Sequence, residues 1–169
     1  MTKEISSGER LMRLLNAYGV DTVFGMPGVH TLEAYRGLDD AGIRHIGVRH
    51  EQGAGFMADG YARVSGKPGV CLIISGPGVT NAATPIGQAY SDSQPMLVIS
   101  SVAAVGDLGM GRGRLHEIRD QARVTEPLTA FSQVAHNPDQ VRELVHRAFA
   151  LFGTERPRPV HISIPLDVF

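Results

Sequence analysis

The sequence lacks an excess charge of one sign, a set of cysteines and an uninterrupted apolar run. Its 16 Lys and Arg balance 17 Asp and Glu to a net charge of -1, so no basic field exists to gather a nucleic-acid backbone or an anionic membrane surface. The one cysteine, Cys71, stands in the apolar run Val70-Cys71-Leu72-Ile73-Ile74. A lone thiol excludes a disulfide framework and a cysteine-rich zinc site, and Cys71 reads as a small buried hydrophobe. The opening Met1-Thr2-Lys3-Glu4-Ile5-Ser6 has no apolar core of the secretory kind, so the expected compartment is the reducing cytoplasm. The uncharged stretch Pro68 to Ser91 has the length of a membrane span, but Gly69, Gly76, Pro77, Gly78, Pro85 and Gly87 interrupt it. It reads as a strand, a turn and a helix.

Several catalytic signatures are also missing. His50-Glu51 and His116-Glu117 lack the second histidine of a zinc-protease helix, since Ala54 and Asp120 stand there, and no metal site is expected within the chain. No Gly-x-Ser-x-Gly elbow and no phosphate-binding loop ending in Gly-Lys-Ser/Thr occurs, which removes the signatures of hydrolase and P-loop chemistry. Gly76-Pro77-Gly78-Val79-Thr80-Asn81 is a dinucleotide fingerprint without its last glycine, and Ser100 and Ser101 stand where its acidic partner would be expected. A Rossmann-type NAD-binding domain is therefore only an alternative.

What is present is a repeating alternation. Ser6 and Glu9 have capping-box spacing before Leu11, Leu14, Leu15 and Tyr18 at helical intervals, ended by Gly19. Strands are predicted at 22–24, 44–48, 70–74, 96–100 and 160–164. Helices are predicted at 31–38, 51–63, about 81–90 and from Pro138 through Phe152. The glycine-rich segment from Val102 to Glu117 loses periodicity and reads as a loop, of a length usually functional or mobile. Near-continuous apolar strands alternating with helices imply a three-layer α/β/α domain on a mainly parallel sheet. With 169 residues, one domain over 1–169 is expected.

Glycine and proline, 20 and 10 residues, make up about 18% of the chain against a usual ~12%. The turns at 25–28 and 76–78, and the dipeptide His50-Glu51, all follow predicted strands. Three punctuations thus fall on the carboxyl-end rim, where such sheets bind ligands.

The segment Arg49-His50-Glu51-Gln52-Gly53-Ala54-Gly55-Phe56-Met57-Ala58-Asp59-Gly60-Tyr61-Ala62-Arg63, read with Gly25-Met26-Pro27-Gly28 and Ser75-Gly76-Pro77-Gly78-Val79-Thr80-Asn81, resembles the pyrimidine-binding domain of thiamine-diphosphate-dependent enzymes. The similarity is to acetolactate synthase large subunits and 2-oxo-acid decarboxylases, and it covers essentially the whole chain, to Pro165-Leu166-Asp167-Val168. The resemblance implies that Glu51 is the catalytic carboxylate, sharing a proton with N1′ of the cofactor's aminopyrimidine. Burial of Glu51 is expected to favour its protonated form more than the adjacent helix N-terminus favours the anion. It further implies that Pro27, Gly28, Ser75, Gly76 and Asn81 seat the cofactor, with glycines where a flat ring meets backbone. Asn81 reads equally well as a helix cap.

On the substrate side, Val29 stands where acetolactate synthases generally have Gly, and His30 follows it. Leu115-His116-Glu117 resembles their Phe-Gln-Glu stretch, with His for Gln. Val29, His30 and His116 are therefore candidate substrate contacts, with a solvated loop histidine as the alternative for His116. The run 27–33 together with 111–117 is similar to bacterial 5-guanidino-2-oxopentanoate decarboxylases. In the family a second domain with a Gly-Asp-Gly…Asn-Asn motif holds magnesium and the diphosphate, and the active site forms between subunits. No such motif occurs in these residues. The expectation is thus a domain inactive as an isolated chain, with a 2-oxo acid substrate, a partner diphosphate-binding domain and a homodimer or homotetramer. A non-catalytic binding or regulatory remnant of the fold is the second alternative.

Overall fold

The computed structural model describes residues 5–169; residues 1–4, which carry part of the leader reading, lie outside the described residues. The first helix, α1 (Ser7–Ala17), starts as its spacing predicts: Glu9 N–H donates to Ser6 Oγ at 3.2 Å, and Ser6 N–H donates to Glu9 Oε2 at 2.7 Å. These bonds satisfy donors that a bare helix end leaves open. The chain continues through β1 (Thr22–Gly25), α2 (Leu32–Asp40), β2 (Arg44–Gly47), α3 (Glu51–Ser65), β3 (Gly69–Ile73), α4 (Pro77–Ser91) and β4 (Met96–Val102). After the long loop come α5 (Gln121–Thr125), β5 (Phe131–Val134), α6 (Pro138–Thr154) and β6 (Val160–Pro165).

Every strand pairing is parallel, in the order β2-β1-β3-β4-β6-β5. Alternate residues of one strand face opposite layers. Val70 and Leu72 of β3, Leu97 and Ile99 of β4, and Val160, Ile162 and Ile164 of β6 join Leu11, Leu38 and Val145 of α1, α2 and α6 in one core. Cys71, Ile73, Met96 and Val98 join Ala54, Ala58, Val79 and Ile86 of α3 and α4 in the other. Both sheet faces are covered, which is why the strands read as continuous apolar runs and why Cys71 is wholly buried. The three-layer parallel architecture is the expected one.

Two details differ from the sequence reading. Helix α4 begins at Pro77, four residues before the predicted start, because proline at its first turn costs no hydrogen bond. Its internal Pro85 packs on α3 at Gly55, where an added Cβ would lie 2.3 Å from Pro85 Cγ. The short α5 and edge strand β5 have no predicted counterpart. Five and four residues are too few for a periodic pattern to emerge.

From β1 the chain passes to β2 on one side and then returns, through α3, to β3 on the other side of β1. Strand order reverses between β1 and β3, and at such a point the loops diverge and leave a crevice beyond the carboxyl ends. Among the described residues, no helix is long and apolar enough to cross a membrane.

Candidate functional site

Glu51 is the first residue of α3 and only 3% exposed. The helix is started by His50, whose Nδ1 accepts from Gln52 N–H at 3.2 Å, so the glutamate is fixed on a capped first turn. Asn81 Nδ2 donates to Glu51 Oε2 at 2.9 Å. Glu51 Oε1 has no hydrogen-bond partner among the described residues. It lies beneath Gly78, where an added Cβ would come within 3.2 Å of it. Asn81 thus stands inside α4, one turn from its start, with its amide on the carboxyl group; the reading of Asn81 as a helix cap is overturned.

The turn between β3 and α4 is shaped by Gly76, at φ 55° and ψ −107°. This backbone region belongs to glycine. A Cβ there would also meet the carbonyl oxygen of His116 at 2.1 Å. The loop after β4 therefore folds back over this turn, and His116 itself has a φ of 56°. Asp107 pairs with Arg112 at 2.7 Å and Arg114 at 2.8 Å. Glu117 accepts from the N–H groups of Gly111 at 2.8 Å, Arg112 at 3.3 Å and Arg114 at 2.9 Å. These backbone donors hold the Glu117 carboxyl below its ordinary range.

After β1, Pro27 and Gly28 lead into a 3-10 turn over Val29–Thr31. Buried Thr31 closes it, donating to Gly28 carbonyl at 3.0 Å and accepting Gly28 N–H at 3.1 Å. Gly28 packs on Ile74, immediately after β3. His30 Nδ1 lies 3.0 Å from Ser75 Oγ, and Ser75 is buried. Burial, and next the nearby His116, push the His30 imidazole below its ordinary value. Val29 points outward, 71% exposed.

The predicted site residues converge. Glu51 and Asn81 touch, as do His30 and Ser75; Gly76 meets His116, and Gly28 meets Ile74 beside Ser75. Pro27 and Val29 lie at the open edge of the same turn. His116 is exposed, and its backbone carbonyl rests against Gly76. Among the described residues, no group of three or more His, Cys, Asp or Glu side chains is placed to hold a metal.

Sequence reasoning missed Gln121 and His161, buried side chains under the Gly76 turn. Their signal was available: Val160-His161-Ile162-Ser163-Ile164 and Ile99-Ser100-Ser101 place polar groups in buried strands. Polar groups in such strands need partners.

Comparison with known proteins adds a family and several relatives. The family described as thiamine pyrophosphate enzyme, N-terminal TPP binding domain, matches residues 5–124. A probable 2-ketoarginine decarboxylase of Pseudomonas aeruginosa is 68% identical over 166 residues, covering 98% of this chain and 30% of that protein. Acetolactate synthase large subunits of Corynebacterium glutamicum and Lactococcus lactis are each 40% identical, covering 98% and 99% of this chain but 26% and 29% of those proteins. The chain therefore spans less than a third of the length of these relatives.

Proposed function

Because the chain belongs to the thiamine pyrophosphate enzyme family, as its N-terminal TPP binding domain, we propose that it binds and activates the aminopyrimidine of thiamine diphosphate within a larger enzyme that decarboxylates a 2-oxo acid. One observation carries this reading: a buried carboxyl group with one oxygen held by Asn81 and the other unpartnered among the described residues, under a glycine. When bound, thiamine diphosphate supplies the carbanion chemistry and the protein tunes it. The residues fit that group, since Glu51 Oε1 is free to bond a ring nitrogen and no side chain at Gly78 stands over it.

Each residue then has a defined task. Asn81 occupies Oε2, so the proton that Glu51 exchanges is carried at Oε1. Pro27, Gly28, Ser75 and Gly76 form the wall against which the pyrimidine rests. His30, kept toward its neutral form and held by Ser75, and His116 beside it present ring nitrogens to the 2-oxo acid, with Val29 at the rim.

The substrate we assign is 5-guanidino-2-oxopentanoate, which is 2-ketoarginine, released as carbon dioxide and the corresponding aldehyde rather than joined to a second oxo acid. It rests on the 68% identity to a probable 2-ketoarginine decarboxylase. Magnesium and the diphosphate would be held outside this chain, by a diphosphate-binding domain of the complete enzyme or of a partner subunit in a homodimer or homotetramer. On this reading the chain as given, over 1–169, is inactive by itself. The cytoplasm is the proposed compartment, in keeping with the single buried thiol. Neither an NAD-binding domain nor a non-catalytic remnant is favoured, because the dinucleotide-like turn lies inside the matched family region and Glu51 is present with its partner.

Glu51→Gln in the complete enzyme tests the reading. The expected result is a fall in kcat of about 100-fold or more, the usual scale for losing a proton-transfer group, with thiamine diphosphate still bound by calorimetry. Activity equal to the parent at saturating cofactor would overturn it.

A further inference from the structure

On the sheet face covered by α4 and α5, below the Gly76 turn, a set of polar side chains is closed off from water. Gly76 N–H donates to Gln121 Oε1 at 2.7 Å. Gln121 Nε2 lies 2.8 Å from the Ser101 carbonyl, 2.8 Å from Ser100 Oγ and 2.9 Å from Ser163 Oγ. Ser100 Oγ is in turn 2.7 Å from His161 Nε2, and His161 Nδ1 is 2.6 Å from Thr125 Oγ1 and 2.9 Å from Ser132 Oγ. Burial pushes the fully enclosed His161 down to about 3, so its ring is neutral.

Neutral His161 carries one ring proton, so one of its nitrogens donates into this set of hydroxyls and the other accepts from it. Every polar atom of the Gln121 amide is engaged. At a pH where a carboxyl would be ionised, the amide meets this demand: its oxygen takes the Gly76 donor while its nitrogen serves the Ser101 carbonyl and a hydroxyl. An ionised carboxylate would set an acceptor against that carbonyl, and a thioether would leave Gly76 N–H and the carbonyl both unpaired.

We propose that Gln121 is a positioning residue for the turn Ser75–Asn81, holding Gly76 in its glycine-only conformation from below through a buried hydrogen-bonded chain anchored on His161. Around that one residue, Ser75 reaches His30, Asn81 reaches Glu51, and the His116 carbonyl rests on Gly76 itself. A shift of the Gly76 peptide therefore moves every contact of the site contributed by this turn. The inference rests on the reading above that the turn faces the cofactor.

The test uses the complete enzyme, with calorimetric titration of thiamine diphosphate in magnesium buffer at acid and at alkaline pH, beside the melting midpoint. Gln121→Met is expected to bind thiamine diphosphate about tenfold more weakly at both pH values, the scale of one buried donor left unpaired. Gln121→Glu keeps the acceptor and, when protonated, regains one donor. It is expected to match the parent at acid pH and to weaken by about tenfold at alkaline pH, a pattern that loss of folding alone would not produce. Val145→Ala hollows the core on the other face of the sheet and is expected to lower the melting midpoint while leaving binding unchanged. Variants at Gln121 that melt earlier yet bind as the parent does at both pH values would overturn the positioning role alone. A parent enzyme that binds no thiamine diphosphate would overturn the reading of the site.

Discussion

Gly76→Ala puts the geometry of the turn between β3 and α4 to its hardest test. The new Cβ would lie 2.1 Å from His116 O, 3.0 Å from His116 C and 3.3 Å from His116 Cβ. Ordinary van der Waals contact begins at 3.4 Å, so the loop carbonyl must retreat by about 1.3 Å, the difference between that contact and the first of these distances. The atom the new Cβ meets is backbone, and Asp107, Glu117 and the left-handed His116 hold the loop around it. The turn must also hold a φ of 55° with a side chain attached, which costs about 1–3 kcal/mol on its own. Two consequences follow in the complete enzyme. The melting midpoint falls, and kcat/KM drops by about 100-fold, because an ångström of misplacement in a reacting site has that scale. Gly153→Ala is the matched control: it lies in α6, meets nothing within 4 Å, and should gain about 0.5–1 kcal/mol from helix propensity with activity intact. Activity and melting of Gly76→Ala equal to those of the parent would refute the claim that this turn is held between the loop and the sheet.

Gly55→Ala is expected to loosen the α3–α4 crossing, since its Cβ would lie 2.3 Å from Pro85 Cγ; overpacking of this kind costs about 1–3 kcal/mol, read as a lower urea midpoint, and an unchanged midpoint would sink it. The pH dependence of stability should carry the mark of His161. Its folded-state value is depressed to about 3 from 6.5, so the unfolded chain binds the extra proton between those limits. The stability it confers is complete above about 6.5 and is lost as pH falls toward 3, by at most about 1.4 kcal/mol per pH unit. Urea midpoints of the parent and of His161→Gln, compared through that window, should converge as pH falls, and parallel curves would show that His161 is not the source.

The layers were legible because burial on both faces writes itself into the strands. Val70-Cys71-Leu72-Ile73 supplies apolar side chains to two cores at once, and no half-exposed strand would read that way. Glu51, the glycines and both histidines were singled out through a resemblance in chain order, and the fold gathers them beside one turn. Their contacts were not. That Asn81 bonds Glu51 depends on α4 starting at Pro77, and the periodicity of a small-residue helix is too weak to place its first turn. Gln121 stayed hidden for a different reason. Its partners, Gly76, Ser100 and Ser163, lie 45, 21 and 42 residues away, and no local pattern can announce a side chain whose purpose is set by tertiary neighbours.

The site joins parts held with very different stiffness. Glu51 sits on the capped start of a fifteen-residue helix packed against the sheet, so its carboxyl group is placed by the core and Asn81. Ser75 and Gly76 follow a central strand and are held from below by Gln121. Val29, His30 and His116 instead ride on a single 3-10 turn and on a loop secured by surface charges, where each exposed ion pair contributes about 0–1 kcal/mol. The carboxyl proposed to serve the cofactor therefore belongs to the core-packed frame, while the two histidines stand on a short turn and a loop outside it. Residues 29, 30 and 116 meet this frame at two points, the His30–Ser75 contact at 3.0 Å and the contact of Gly76 with the His116 carbonyl, so a change at either histidine reaches Ser75 or Gly76, whereas exposed Val29 can change without doing so.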